Sequence, residues 1–464
     1  MDSFCRCRPL DSLIPSFILL QMETSVMRFH VLSLTVGLLC ASALAIAGDE
    51  PAEAAPAAGD LSEGRLLYGR YMAIAGDCAA CHTRPDGKPF EGGVPIETPF
   101  GTLYTPNITP SKDKGIGAFS DEDFLHALQD GIAPSGLPYY PALPYPSFTK
   151  VKDDDLLAIK DYLMSLEPSN YQPPENTLRW PFSVRDVMFG WQTLYFDKGR
   201  FEPDPERSDE WNRGAYLVEG LGHCGACHTP RNLAGATEPA EAMTGAIVDG
   251  WYAPNLTSNL HQGLGRWSVD ELATFLRTGL APADATDSAD SADAMTEADP
   301  SDAPATAALG PMAEVVHESL SKLAASDLRA MAVYLKDLPA KTEPDHQPRV
   351  PEMLTEEQYK KGRALYVKNC SACHQDHGQG LKPYFPALRG NPVVDQKQPN
   401  DVLKTLLLGA PADPSEAFSA HVVMPSFGSV LSDQQLATVA SYIRANWGND
   451  APPVSAKEVK ALRN

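Results

Sequence analysis

The chain is short of basic residues: 38 Lys and Arg stand against 60 Asp and Glu, a formal net charge of −22. A protein without a basic face cannot neutralise a phosphate backbone, so nucleic acid is excluded as a partner. After residue 48 no apolar run approaches the roughly 18 residues that a membrane-spanning helix needs. Membrane association would therefore be peripheral or through another protein. Alternating apolar and polar stretches are almost absent, which speaks against a fold built on sheets. Cysteine is scarce, nine in 464 residues, and Cys5, Cys7 and Cys40 all precede residue 48.

The six remaining cysteines fall in one pattern, written three times: Cys78-Ala79-Ala80-Cys81-His82, Cys224-Gly225-Ala226-Cys227-His228 and Cys370-Ser371-Ala372-Cys373-His374. Cys-x-x-Cys-His reads as covalent attachment of c-type haem. Two thiols at this spacing reach the two vinyl carbons on one edge of the porphyrin, and the next residue turns its imidazole under the ring to ligate iron. The first cysteines of successive motifs are 146 residues apart both times, and a fixed period marks an internal repeat. The expected cofactors are three haem c.

Each repeat opens with a short helical pattern ahead of its motif, at Gly69 to Ala75, Gly214 to Gly220 and Gly362 to Lys368. Each closes with an amphipathic helix carrying a tyrosine, in Leu156–Leu166 (Tyr162), Leu328–Leu338 (Tyr334) and Gln435–Trp447 (Tyr442). Pro- and Gly-rich loops lie between. The expected fold is all-α, three tandem cytochrome c domains joined by linkers, over 60–175, 209–340 and 352–450. From Met27 a basic start and the apolar run Val31 to Ala47 end in Ala45-Ile46-Ala47, which resembles a secretory signal at 27–47, with 1–26 an over-extended start. Residues 48–60 form a low-complexity leader and 340–352 a short linker. In the connecting segment 176–208, Val184, Val187, Met188, Trp191, Leu194 and Tyr195 recur at helical spacing, the pattern of a helix packed between domains. Residues 282–308 hold seven acids and no base, a disordered acidic insertion, and 451–464 form a C-terminal tail.

His82, His228 and His374 are the expected proximal ligands, on the covalent sites Cys78, Cys81, Cys224, Cys227, Cys370 and Cys373. Downstream prolines, in Pro106-Asn107-Ile108, Pro254-Asn255-Leu256 and Pro386-Ala387-Leu388, resemble the cytochrome c proline whose carbonyl accepts the proximal Nδ1–H and fixes the ring. A sixth, thioether ligand is expected in the loop before each closing helix, where Met424 and Met312 fit by position. In the first repeat Leu143 occupies that place and cannot ligate iron, so the sixth position of the first haem is either open, differently filled or reached by another residue, and its ligand is unknown. Met72 and Met164 fall in the opening and closing helical patterns as packing residues, and His126 aligns with Thr274 and Lys404 on an outward face.

The chain resembles the triple-haem cytochrome c subunits of membrane-bound periplasmic dehydrogenases, a group that includes quinoprotein alcohol dehydrogenase and flavin-dependent gluconate or sorbitol dehydrogenases. The resemblance covers roughly 62–450. It rests on Asp77 to Thr83, Thr98-Pro99-Phe100-Gly101-Thr102, Asn107-Ile108-Thr109-Pro110, Gly115-Ile116-Gly117, Trp211 to Leu217, His223 to Arg231, Ala253 to Leu256, Met312 to Val316 and Trp447-Gly448-Asn449. It implies a non-catalytic electron-transfer subunit at the outer face of the cytoplasmic membrane, in the periplasm. Such a subunit takes electrons singly from a dehydrogenase catalytic subunit of flavin or pyrroloquinoline quinone type and passes them to ubiquinone or another respiratory-chain acceptor. Leu143, in place of the methionine of the group's Tyr-Pro-x-Met-Pro-Tyr pattern, and the acidic insertion are the two departures. An enzyme using an open first haem as a peroxidase or reductase, and a soluble shuttle with several partners, are the alternatives from other functional classes.

Overall fold

The computed structural model describes residues 63–260, 262–281, 306–342, 354–381, 385–410 and 423–463. The signal at 27–47, the start at 1–26, the leader, most of the acidic insertion and most of the 340–352 linker lie outside the described residues.

In the first repeat α1 (Glu63–Ala75) leads into the motif helix α2 (Cys78–His82). A hairpin of β1 (Pro95–Thr98) and β2 (Gly101–Tyr104) follows, then α3 (Asp121–Leu125), α4 (Tyr145–Phe148) and the closing helix α5 (Asp153–Met164). Strand β3 (Thr177–Leu178) adds to β2, and α6 (Val187–Tyr195) lies in the connecting segment. The second repeat runs α7 (Asp209–Tyr216), a π-turn at Leu217–Leu221, α8 (Gly225–His228), the hairpin β4 (Ala246–Val248)–β5 (Trp251–Ala253), α9 (Val269–Thr278), the paired β6 (Leu280–Ala281) and β7 (Thr306–Ala307), α10 (Pro311–Glu318) and α11 (Ala325–Asp337). The third has α12 (Glu356–Asn369), α13 (Ser371–His374), α14 (Pro392–Asp395), α15 (Asn400–Leu408), α16 (Asp433–Arg444) and α17 (Ala456–Arg463). Serine or threonine caps with an acid or glutamine three residues on start α3, α9, α12 and α16, each a complete capping box.

One crossing recurs: opening helix against closing helix, with a glycine at the contact. A Cβ on Gly69 would stand 1.9 Å from the Ala158 carbonyl oxygen, and one on Gly214 would stand 1.9 Å from that of Ala330. On Gly362 it would meet Tyr442 Cβ at 2.5 Å. Only glycine lets two backbones approach so closely, and the approach fixes the angle at which each opening helix delivers its motif.

The packing groups the repeats unequally. Buried residues of the first two helix pairs form one continuous core, from Tyr68 and Leu156 through Leu217 to Leu328 and Leu335, while the third pair has its own around Leu403, Leu436 and Ile443. The boundary inside the shared core is polar and reciprocal. Tyr71 Oη donates to Asp327 Oδ2 (2.7 Å), and Tyr216 Oη donates to Asp155 Oδ2 (2.5 Å). Each carboxylate also takes a bond from its own repeat, Asp155 from Tyr68 Oη (2.7 Å) and Asp327 from the guanidinium of Arg213 (2.9 and 2.7 Å). The third pair meets the second through β5, where Tyr252 N donates to Asp401 Oδ1 (2.7 Å), and through Asn400 Nδ2, which donates to Gly250 O (3.0 Å).

Four expectations change. The fold is mainly helical but not all-α, because short antiparallel hairpins follow the first two motifs, in the register Pro95↔Tyr104 and Ala246↔Ala253. The insertion 282–308 ends earlier than its composition suggests: Thr306 and Ala307 pair with β6, and Thr306 is buried. The tail 451–464 belongs to the third repeat, since α17 places Val459 in its core. In the connecting segment only Met188 and Trp191 of the apolar stripe are buried, beside Tyr145, while Val184, Val187, Leu194 and Tyr195 are exposed.

Candidate haem-attachment sites

All three motifs fold as one short helical turn: Cys78–His82, Gly225–His228 after Cys224, and Ser371–His374 after Cys370. Helical geometry puts positions i, i+3 and i+4 on one face, so both cysteines and the histidine of a motif point the same way. In the first two repeats the chain enters this turn through a left-handed residue that is not glycine, Asp77 (φ 49°) and His223 (φ 36°).

Each motif histidine is held by a proline carbonyl. His82 Nδ1 bonds Pro106 O at 2.8 Å, His228 Nδ1 bonds Pro254 O at 2.7 Å, and His374 Nδ1 bonds Pro386 O at 3.0 Å. A carbonyl can only accept, so the proton sits on Nδ1 and the Nε2 lone pair is free. Burial lowers the pKa of all three imidazoles, which keeps them neutral. The prolines are themselves fixed. Asn107 Oδ1 accepts from Thr109 N (2.9 Å) and Oγ1 (2.7 Å), and Asn255 Oδ1 accepts from Thr257 N (2.8 Å) and Oγ1 (2.7 Å). In the third repeat Asn391 Nδ2 donates to Ala387 O (2.8 Å) and Asn449 Nδ2 to Leu388 O (2.9 Å) instead. The backbone closes the loop too: Gly92, Gly245 and Gly380 donate to the carbonyls of His82, His228 and His374 at 2.8, 2.9 and 3.1 Å.

The six motif cysteines are unpaired thiols. Burial pushes Cys78 and Cys224 up to about 12 and Cys370 up to about 11, so they stand as thiols and not thiolates. Two unpaired thiols and one neutral imidazole with a free Nε2, on one helical face, are the donor set that covalent haem c requires, so the residues fit the group.

Of the expected sixth ligands, Met312 lies in the first turn of α10, half-buried against the shared core, with its N–H on Leu309 O (3.2 Å). Leu143 holds the same turn in the first repeat, its N–H on Tyr140 O (3.1 Å), and packs half-buried against the shared core and the Tyr145 cluster. Met424 is bridged to Ala410 through both backbone groups (3.0 and 3.1 Å) and packs against the third core. Met72 is fully buried and Met164 is exposed. His126 is exposed and bonds Asp130 Oδ2 (2.7 Å), on the outward face expected for it.

Asp77, beside Cys78, has no role of its own in the sequence motifs. Its Oδ1 is buried without a hydrogen-bond partner, and its pKa is pushed up to about 7, first by burial and then by the carboxylates of Glu314 and Glu318 on α10.

The sequence profile of cytochrome c matches residues 65–167 and 359–447. The chain is 37% identical to the gluconate 2-dehydrogenase cytochrome c subunit of Pantoea cypripedii, over 93% of this chain and 94% of that one. With the cytochrome c subunit of the alcohol dehydrogenase (quinone) of Gluconobacter oxydans it shares 38%, over 87% of this chain and 83% of the relative. The chain belongs to the family of dehydrogenase cytochrome c subunits. It is also 38% identical, over 88% of its length, to a nicotinate dehydrogenase subunit of Pseudomonas putida, but spans only 32% of that protein. As a family member it carries covalently bound haem c and works in electron transfer. Among the described residues no helix is long and apolar enough to cross a membrane.

Proposed function

We propose that the chain is a three-haem relay, three tandem cytochrome c domains of which the first two share a core, bound to a dehydrogenase catalytic subunit. It would take electrons from that subunit's flavin or pyrroloquinoline quinone and hand them to ubiquinone or another respiratory-chain acceptor. The relatives' names, alcohol dehydrogenase (quinone) and gluconate 2-dehydrogenase, support the partner class and the acceptor. A secretory signal at 27–47 supports a periplasmic location, with peripheral association at the outer face of the cytoplasmic membrane.

The observation that carries the reading is the threefold recurrence of an Nδ1–H held by a proline carbonyl beside two unpaired thiols. Bound haem supplies a one-electron iron couple. The chain does the rest: Cys78, Cys81, Cys224, Cys227, Cys370 and Cys373 anchor it, and His82, His228 and His374 present Nε2 to the iron. The proline carbonyls draw on Nδ1–H and make Nε2 a stronger donor. Met312 and Met424 would each offer a thioether to the iron, which would favour the reduced state at those two sites, whereas Leu143 offers no lone pair at the first.

Mass measurement of the denatured protein tests the count. Three covalent haems per chain are expected, and Cys224→Ala with Cys227→Ala should remove one. Fewer than three in the unaltered protein would refute the reading.

A further inference from the structure

The boundary between the first two repeats carries one hydrogen-bonding device in both directions. In the third repeat the closing helix begins with an ordinary capping box: Ser432 N, at the N-cap, donates to Gln435 Oε1 three residues on (2.9 Å). In the first two repeats the N-caps are Lys152 and Ala324, without side-chain caps, and the residues three on are Asp155 and Asp327. Neither pair closes on itself. Tyr216 Oη of the second repeat stands between Lys152 N (3.1 Å) and Asp155 Oδ2 (2.5 Å). Tyr71 Oη of the first stands between Ala324 N (3.1 Å) and Asp327 Oδ2 (2.7 Å). Each tyrosine hydroxyl is thus built into the capping box of the opposite repeat. Both tyrosines lie two residues after the crossing glycine, and the third repeat has Ala364 there.

A contact in which residue i of one half meets j of the other, and j meets i, is a two-fold relation. The two motifs lie against this boundary. A Cβ on Gly76 would sit 3.3 Å from Leu221 Cδ2 and 3.4 Å from Cys78 Sγ. The ring of Phe148 stacks on His223, next to Cys224, at 5.8 Å and 15°. In the other direction α10 packs on the motif helix α2. Cys81 and Cys227 hold the same place in their motifs, and both are exposed.

We propose that Tyr71 and Tyr216 are positioning residues that hold the first two attachment sites against one shared boundary, so that these two haem sites form one electronically coupled pair which the third does not join. The proposal rests on the three-haem reading above. Bound at the two sites, the haems would supply two one-electron couples that exchange an electron with no bond or proton moving. The tyrosines need no ionisation for this: burial and the facing aspartates raise the pKa of both hydroxyls.

The test uses the haem-loaded full chain and circular dichroism in the Soret band, where two coupled haems give a bisignate couplet. Replacing Cys370 and Cys373 by Ala should leave the couplet, and replacing Cys78 and Cys81 by Ala should abolish it. Tyr71→Phe with Tyr216→Phe should keep three haems by mass and weaken the couplet at least twofold. Tyr366→Phe removes a comparable buried bond, to Gln375 O in the third repeat (2.5 Å), and should leave the couplet unchanged. A couplet that survives loss of the first site, or is undiminished in the double tyrosine variant, overturns the proposal. If the cysteine variants do not fold, paramagnetic resonance of the unaltered protein during stepwise reduction decides. Dipolar broadening that collapses when the first electron enters the pair supports the proposal, and three signals fading independently at constant line shape overturn it. Fewer than three haems in the starting protein is instead a failure of the underlying reading, visible by mass alone.

Discussion

Gly69→Ala, Gly214→Ala and Gly362→Ala should separate the protein's two cores. In an exposed helix the change would stabilise by about 1 kcal/mol through propensity alone. Here the methyl introduced by Gly69→Ala would be placed 1.9 Å from the Ala158 oxygen and 2.6 Å from its carbonyl carbon. Carbon contacts settle near roughly 3.5 Å, so α1 and α5 must part by about 1.5 Å. The obstacle is backbone and cannot rotate aside, which puts the cost at the upper end of overpacking, about 3 kcal/mol, and the net loss near 2 kcal/mol. The same distance at Gly214 gives the same loss for α7 against α11. Scanning calorimetry of the haem-loaded protein should resolve two transitions, one for the core shared by the first two repeats and one for the third. Gly69→Ala and Gly214→Ala should both lower the first, by about 4–8 °C. Gly362→Ala, whose methyl meets Tyr442 Cβ at 2.5 Å, should lower only the second. A stabilised Gly69→Ala, or a Gly214→Ala that moves the transition of the third repeat, would refute the reasoning.

Two further outcomes follow from single residues. Burial pushes Asp401 up to about 6 although it accepts the Tyr252 N–H, so its charged form is disfavoured in the folded state. Stability should therefore rise as pH falls from above 6 towards the carboxyl's ordinary value near 4. Asp401→Asn should flatten that slope and raise stability at pH 8 by up to about 3 kcal/mol, and an unchanged slope in denaturant titrations would show that Asp401 is not its source. Met312→Ala and Met424→Ala should each remove one thioether-ligated low-spin signal and lower that site's potential, while Leu143→Met should add such a signal to the first site. Spectra and potentials unmoved by all three substitutions would place none of these positions at an iron.

The attachment sites were legible because their chemistry is local. Cys78, Cys81 and His82 lie within five residues, and Pro106 follows in the same repeat in a stretch that resembles the cytochrome c proline, so the resemblance foretold the Nδ1 bond, which spans 2.8 Å. What stayed hidden depends on residues far apart in the chain. Tyr71 and Asp327 are 256 positions apart, and nothing near either one announces the other. The strands escaped notice because each has at most four residues, too few to display alternation. The connecting helix misled in the opposite sense: its apolar spacing is real, yet only Met188 and Trp191 turn inward.

The π-turn at Leu217–Leu221 bears on how such a chain can change. Nine positions lead from Gly69 to Cys78, ten from Gly214 to Cys224 and eight from Gly362 to Cys370. Each residue added to a regular helix swings the chain beyond it by about 100°, which would carry a motif round to another side of the helix. The third repeat runs its helix to Asn369, the first breaks at Gly76 and Asp77, and the second absorbs its surplus in a wider turn with Gly220 at φ −90°, ψ −105°. Three lengths each end in a motif folded as one short helical turn. The spacer is thus free to gain or lose a residue provided the angular phase of its last turn is restored, and the equal 146-residue intervals between motifs arise from unequal parts.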